Sequence, residues 1–180
     1  MVFGDWSSAV CSSDLLVLFY RLGSMGDTVV ALPCFHLIAR AFPFSERILL
    51  CPRSTNEKAA LPEQILAGSG LVTRYLYYRS NHIGIRQVVL LRKNIVALKP
   101  DLLIYLPPAN RGLVHILRDL AFFKWSGIRK FEGVFLSREK NDNRPLPDKS
   151  LYESEASRLA RCLCNLGCAN LEASESWDLM

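Results

Sequence analysis

No run of about 18 apolar residues occurs in this sequence, which argues against a membrane-spanning helix. A basic region followed by a long apolar stretch is also missing near the N-terminus, so no secretory signal is visible. Six cysteines are present, yet no Cys-x-x-Cys knuckle is, and a zinc site wants such a knuckle plus a second pair. Cys162 and Cys164, read as one helix, stand roughly 200° apart around its axis and cannot chelate one ion. Free, partly buried thiols point to a reducing compartment. There is no Gly-x-Gly-x-x-Gly and no Gly-Lys-Ser/Thr ending of a P-loop, so neither of these nucleotide cradles is written here. Internal repeats and low-complexity segments are absent as well. Histidines are few: His36 and His115 read as packed helix residues, and His82 falls in a loop.

What is present is a globular composition. Half of the 180 residues are hydrophobic, enough for a full core and too many for a disordered chain. The formal net charge of +5 is spread along the chain. It fits an anionic ligand, an acidic membrane surface or nucleic acid, without choosing among them.

The patterning alternates. "LLVLFY", "ERILLC", "LVTRYLYY" and "DLLIYL" read as buried strands, and "RKFEGVF" as a fifth. Between them lie predicted helices over residues 27–41, 56–67, 84–98 and 110–125, with a last helix over residues 151–167. Asp27 or its neighbour is expected to cap the first helix, and Pro33 to bend it. Pro62 interrupts the second, the proline of "KPD" ends the third, and Gly127 closes the fourth. Apolar strands separated by helices imply a doubly wound α/β domain with a mostly parallel, Rossmann-like sheet. Ligands of such sheets bind beyond the carboxyl ends of the strands. Residues 1–14 show no periodicity, and "VCSSDL" resembles the translated end of a sequencing adapter. They are expected to be a non-native or disordered leader, with residues 15–150 forming the α/β domain and residues 151–180 a helix and linker.

The first strand's carboxyl end is "RLGSMGD". A helix N-terminus attracts anions through its free N–H groups. Asp27 already occupies that place, so a pyrophosphate there would meet a carboxylate at contact distance, at a cost of kilocalories. The turn therefore argues against a nucleotide-dependent oxidoreductase. Asp27 reads either as a helix cap or as a base held ionised at the sheet edge, and the two roles are compatible. Gly23 and Gly26 are expected to let the chain turn sharply and a bulky ligand approach.

"LLVLFYRLGSMGDTVVALPCFHLIARAFP" resembles the opening of glycosyltransferase family nine, the ADP-heptose:lipopolysaccharide heptosyltransferases. The matching residues are Arg21, Leu22, Met25, Gly26, Asp27, Leu32, Pro33, Ala41, Phe42 and Pro43. "DLLIYLPPANRGLVHILRDLAFFKWSGIRKFEG" and "ESEASRLARCLCNLG…SWDL" are similar to later family segments. The resemblance implies a GT-B architecture, of which this chain is the N-terminal, acceptor-binding half. Family members run about twice this length, so a truncated reading frame is expected, with the donor domain missing.

The resemblance further implies that Asp27 is the general base of an inverting, metal-independent transfer. The donor would be ADP-heptose or a similar nucleotide-sugar, held by the missing domain, and no cofactor is required. The acceptor would be the anionic inner core of lipopolysaccharide. Ser24, Met25 and Gly26 of the turn are expected to touch it. Arg79 and Arg111, near strand ends, would pair with its carboxylates and phosphates, because the guanidinium fork binds both. Nucleic acid is not an expected partner. The implied location is the cytoplasm, with peripheral contact at the inner face of the bacterial inner membrane, and the amphipathic "LRDLAFFKW" suits such a contact. The alternative is a non-catalytic, anion- or sugar-binding Rossmann-like module.

Overall fold

The computed structural model describes residues 15–53, 61–79, 84–137, 141–147 and 150–179. The expected leader over residues 1–14 and the first part of the expected helix over 56–67 lie outside these, as do Cys11 and His82.

Five strands form one sheet: β1 (Leu16–Arg21), β2 (Glu46–Arg53), β3 (Arg74–Arg79), β4 (Leu102–Leu106) and β5 (Lys130–Glu132). Their order is β3-β2-β1-β4-β5, and every pairing is parallel. The chain is thus a doubly wound α/β domain, and β1 is its central strand, buried from Val17 to Arg21. Helices cover both faces, which is why the strands are apolar throughout rather than alternating.

One face is packed by α2 (Leu32–Ala41) and by the last helix, here α6 (Glu155–Cys162). Phe19 of β1 stacks on Phe35 of α2 with ring centroids 6.0 Å apart. Leu159 and Leu163 are fully buried against the same cluster. The other face is packed by α4 (Ile85–Leu98) and α5 (Leu113–Trp125). There Tyr20 meets Phe123 edge-on at 5.0 Å and stacks on Tyr105 at 5.6 Å.

The observed helices depart from the expected ones at their ends. The single helix expected over residues 27–41 is two, α1 (Met25–Val30) and α2, and Ser24 rather than Asp27 is the first N-cap. Pro33 does more than bend the chain. It lacks an N–H and crowds the carbonyl four residues back, so α1 stops and Pro33 becomes the second residue of a new helix. Pro62 likewise opens α3 (Pro62–Leu66) rather than interrupting it. The helix expected from residue 110 begins at Leu113, after the Gly112 cap, and Gly127 follows it at φ 94° as expected. The last helix starts later than residue 151 because the Ser154 hydroxyl accepts the Ser157 N–H. It ends at Cys162, so Cys162 and Cys164 share no helix.

The thiols divide by depth. Burial pushes Cys34 and Cys51 up to about 12, whereas Cys164 and Cys168 are exposed.

Leu159 is the side chain by which α6 joins the core. Leu159→Ala is expected to cost about 2–5 kcal/mol in urea denaturation, the range for a buried leucine whose neighbours relax only in part. A loss below about 1 kcal/mol would show that α6 is peripheral to the domain.

Candidate functional site

The site grows from the end of β1. Arg21 closes the strand, and Gly23 turns the chain at φ 136°, a backbone region that side chains disfavour. A Cβ at Gly23 would lie 2.5 Å from Asp27 Oδ2, so glycine is required there twice over. Gly26 is different. It stands in the first turn of α1, and a Cβ on it would meet only Ser24 Oγ at 3.7 Å. The expectation that Gly26 helps the chain to turn is corrected here: its backbone is ordinary helix, and what it leaves is open space at the rim.

Asp27 is held from two sides. Its Oδ2 accepts the Ser24 N–H at 2.5 Å and the Ser24 hydroxyl at 2.8 Å, the carboxylate half of a capping box. Its Oδ1 faces Arg21 Nη2 at 3.7 Å, beyond hydrogen-bond reach, and the side chain is 41% exposed. Partial desolvation raises the acid's pKa, but the Ser24 hydrogen bonds and the Arg21 charge outweigh it and hold the carboxyl below its ordinary value. The group is an anion at neutral pH with one oxygen free to receive a proton.

Arg21 itself is buried, at 2% exposure. It donates from Nη1 to the Leu106 carbonyl at the end of β4, and from Nη2 to the Asp27 carbonyl. Glu155 of α6 approaches it at 4.0 Å. Arg158, fully buried, donates to both Glu155 oxygens and to the carbonyls of Pro107 and Asn141. Two guanidiniums and two carboxylates therefore share this edge of the sheet. Unpaired, each buried charge would cost several kcal/mol.

The remaining expected residues fall as follows. Ser24 and Gly26 are exposed beside Asp27, and Met25 is half-buried. Arg111 stands just beyond β4, as expected, but its guanidinium is engaged. Its Nε reaches the Tyr105 hydroxyl at 3.0 Å, and Nη2 forms a short ion pair with Asp119. Burial lowers its pKa, and the bonds to Asp119 and Tyr105 more than restore it. Arg118 takes the other Asp119 oxygen at 2.9 Å. Arg79 ends β3, exposed, two strands from β1. That places it about 10 Å away across the sheet, so Asp27 and Arg79 share an edge rather than a contact. Arg79 borders a depression of about 410 Å³ that Tyr77, Tyr78, Gln87 and Asn94 also line.

Sequence reasoning named Ser24 as an acceptor contact and not as the group that holds Asp27, and it missed Glu155 and Arg158. Ser24 carried a signal, because Ser-x-x-Asp before an apolar run is a capping-box spelling. Glu155 and Arg158 carried none, since their i, i+3 spacing reads as a surface ion pair.

No family model matches the sequence, and no curated protein is significantly similar to it. Among solved structures, the fold is similar to that of a glycosyl transferase family 9 protein from Veillonella parvula DSM 2008, with a TM-score of 0.54 and 16% identity. The similarity covers 86% of this chain and 42% of that one, so the chain spans less than half the length of its neighbour. At this identity the likeness is one of fold.

The two glycines should separate on substitution. Gly23→Ala is expected to destabilise by more than about 1 kcal/mol, because the new methyl displaces the Asp27 carboxylate. Gly26→Ala is expected to be neutral or stabilising by up to about 1 kcal/mol. Chemical denaturation of both variants checks this.

The Asp27 carboxyl also sets an acid limit. Its folded pKa lies below the unfolded one, so its contribution is full above about pH 4 and is lost as pH falls through the folded value. Asp27→Asn should therefore flatten the fall of stability between about pH 4 and pH 2, measured by denaturant midpoints. An unchanged slope would show that the carboxylate gains nothing from Ser24 and Arg21.

Proposed function

We propose that this chain is the acceptor-binding half of a glycosyltransferase, and that Asp27 is its general base. The observation that carries the reading is the Asp27 carboxylate: ionised, partly exposed, fixed by Ser24 and Arg21, and set at the carboxyl end of the central strand. The fold likeness to a glycosyl transferase family 9 protein supports the same class.

The chemistry follows from that placement. An acceptor hydroxyl beside Oδ1 attacks the anomeric carbon of a nucleotide-sugar. The new C–O bond forms as the bond to the diphosphate breaks, and the diphosphate leaves with the electron pair. The hydroxyl proton passes to Asp27. A carboxylate with a lowered pKa is a weak base toward a free alcohol. It becomes competent as the attacking oxygen gains positive charge, which is when proton transfer is needed. Single displacement inverts the anomeric centre. Stabilisation of the leaving diphosphate falls to a second domain that holds the donor, so the 180-residue chain by itself is expected to transfer no sugar.

In its finer form the proposal is a heptosyltransferase of lipopolysaccharide biosynthesis, working in the cytoplasm with an ADP-heptose-like donor and the anionic inner core as acceptor. Ser24, Met25 and Gly26 line the approach to Asp27. Arg79 offers an exposed guanidinium to an acceptor carboxylate or phosphate, while Arg111 contributes through the field it shares with Asp119.

One observation favours a second reading, a sugar- or anion-binding module without catalysis. Among the described residues Gln87 Oε1 is buried without a hydrogen-bond partner, and Gln87 lines the Arg79 depression. An amide and a guanidinium beside two tyrosines suit a sugar acid.

The test uses a protein in which this domain is joined to its donor domain. Asp27→Asn keeps the Ser24 contacts in shape and is expected to lower kcat about 10²- to 10⁴-fold, with little change in melting temperature. Near-full turnover in Asp27→Asn would leave Asp27 as a helix-capping residue only. Retained binding of a sugar-acid acceptor by a chain that never turns over with any donor domain would favour the second reading.

A further inference from the structure

The proton transfer assigned to Asp27 leaves one carboxylate of this edge unused: Glu155, the first residue of α6. Its oxygens are fixed from one side. Arg158, fully buried, donates Nε to Oε2 and Nη2 to Oε1, each at 2.7 Å. Arg158 also donates to the carbonyls of Pro107 and Asn141, so the pair is anchored to the end of β4 and cannot swing away. From the other side Glu155 Oε1 faces Arg21 Nη1 at 4.0 Å.

Arg21 thus lies between two carboxylates, Glu155 at 4.0 Å and Asp27 at 3.7 Å, and both separations exceed hydrogen-bond reach. Its bonds go instead to the carbonyls of Leu106 and Asp27, and among the described residues its Nε has no partner. A cation with anions at nearly equal distances on two sides feels opposed pulls of similar size. With one anion gone, it moves toward the other. Asp119 shows where that leads: Arg111 and Arg118 occupy its two oxygens, and the acid is closed. The other groups around Arg21 supply no opposing pull. Cys34 of α2 and its neighbour Cys162 of α6 are thiols that burial keeps protonated. Arg158 carries the same charge as Arg21 and disfavours it.

We infer that Glu155 is a positioning residue for the proton transfer: it holds the Arg21 guanidinium off the Asp27 carboxylate and so keeps Oδ1 open to an acceptor hydroxyl. The inference rests on the reading of Asp27 as the base, and Glu155 acts only through Arg21. Without the Glu155 charge, Arg21 Nη2 closes on Oδ1 by about 1 Å, to hydrogen-bond distance. An arginine so placed occupies the lone pair that the proton needs and lowers the proton affinity of the carboxylate. Without Arg158, Glu155 gives its whole charge to Arg21, and the proton affinity of Asp27 rises. The two substitutions therefore act on Asp27 in opposite directions.

Carbon-13 NMR titration of the Asp27 carboxyl in the 180-residue chain tests the inference. Glu155→Gln is expected to move the midpoint to lower pH, and Arg158→Met to higher pH. If Glu155→Gln does not fold, Glu155→Gln with Arg158→Met carries the test, because removing a buried pair together is milder than orphaning one member. The midpoint of that double variant is also expected below that of the unaltered chain. In a protein that includes the donor domain, Glu155→Gln or the double variant is expected to lower kcat about 10²-fold, the cost of a misplacement of about 1 Å, with KM little changed. A role confined to anchoring α6 would lower melting temperatures and leave the Asp27 midpoint where it is. That result overturns the inference, as do midpoints that move the same way in both single variants. So does undiminished kcat in the Glu155 variants where Asp27→Asn is impaired. If Asp27→Asn itself keeps its turnover, the base reading fails, and the titration, which needs no sugar transfer, still decides whether Glu155 holds Arg21 away.

Discussion

The Arg21 guanidinium approaches almost every part that makes the carboxyl edge of the sheet around Asp27. It reaches the last carbonyl of β4, the backbone of α1, the carboxylate of Asp27 and, through Glu155, the helix α6. Desolvation disfavours its charge, and the carboxylates of Glu155 and Asp27 act against that loss. This exchange fixes the geometry. A buried cation cannot drift toward solvent, so the groups that neutralise it are held in place as well. Asp27 is thereby tied to the central strand of the sheet although its own side chain is half-exposed.

The same constraint explains the chemistry assigned to the turn. Ser24 takes one carboxylate oxygen and leaves the other, so the residue is rigid and still open. A carboxylate held only by solvent would sample several rotamers, and positioning is a large part of what a general base supplies. At the neighbouring strand, Tyr105 and Arg111 both converge on Asp119. There the carboxylate is closed off by its partners, and that difference in access is what separates the two acids on one sheet edge.

Much of the fold was legible because apolar strands and amphipathic helices write their period directly. The parallel sheet and the central place of β1 follow from "LLVLFY" and its successors, each separated by a helix. Helix ends were less legible. Pro33 acts on the carbonyl four residues earlier, and whether it bends or breaks a helix depends on what packs beneath. The candidate site was readable in Asp27, since a carboxylate after a glycine turn is a local feature. Its surroundings were not. Glu155 and Arg158 lie more than a hundred residues from Arg21 in sequence, and nothing in "ESEASR" says that its arginine is buried. Arg111 was placed correctly along the chain, but its partnership with Asp119 depends on how α5 lies over β4, which local spacing does not encode.

The order of the strands has a bearing on biogenesis. Strands β1, β2 and β3 are contiguous in sequence and adjacent in the sheet, so three of its five strands are complete before β4 leaves the ribosome. Asp27 follows Arg21 at once, but its other partners emerge later, Leu106 first and Glu155 last. At ordinary rates of synthesis the interval from Arg21 to Glu155 is roughly seven to thirty seconds. Through that interval the nascent domain carries a cation whose neutralising surroundings are incomplete, so this edge stays hydrated while the apolar layers close. The carboxyl edge around Arg21 is the last to assemble, by vectorial synthesis alone.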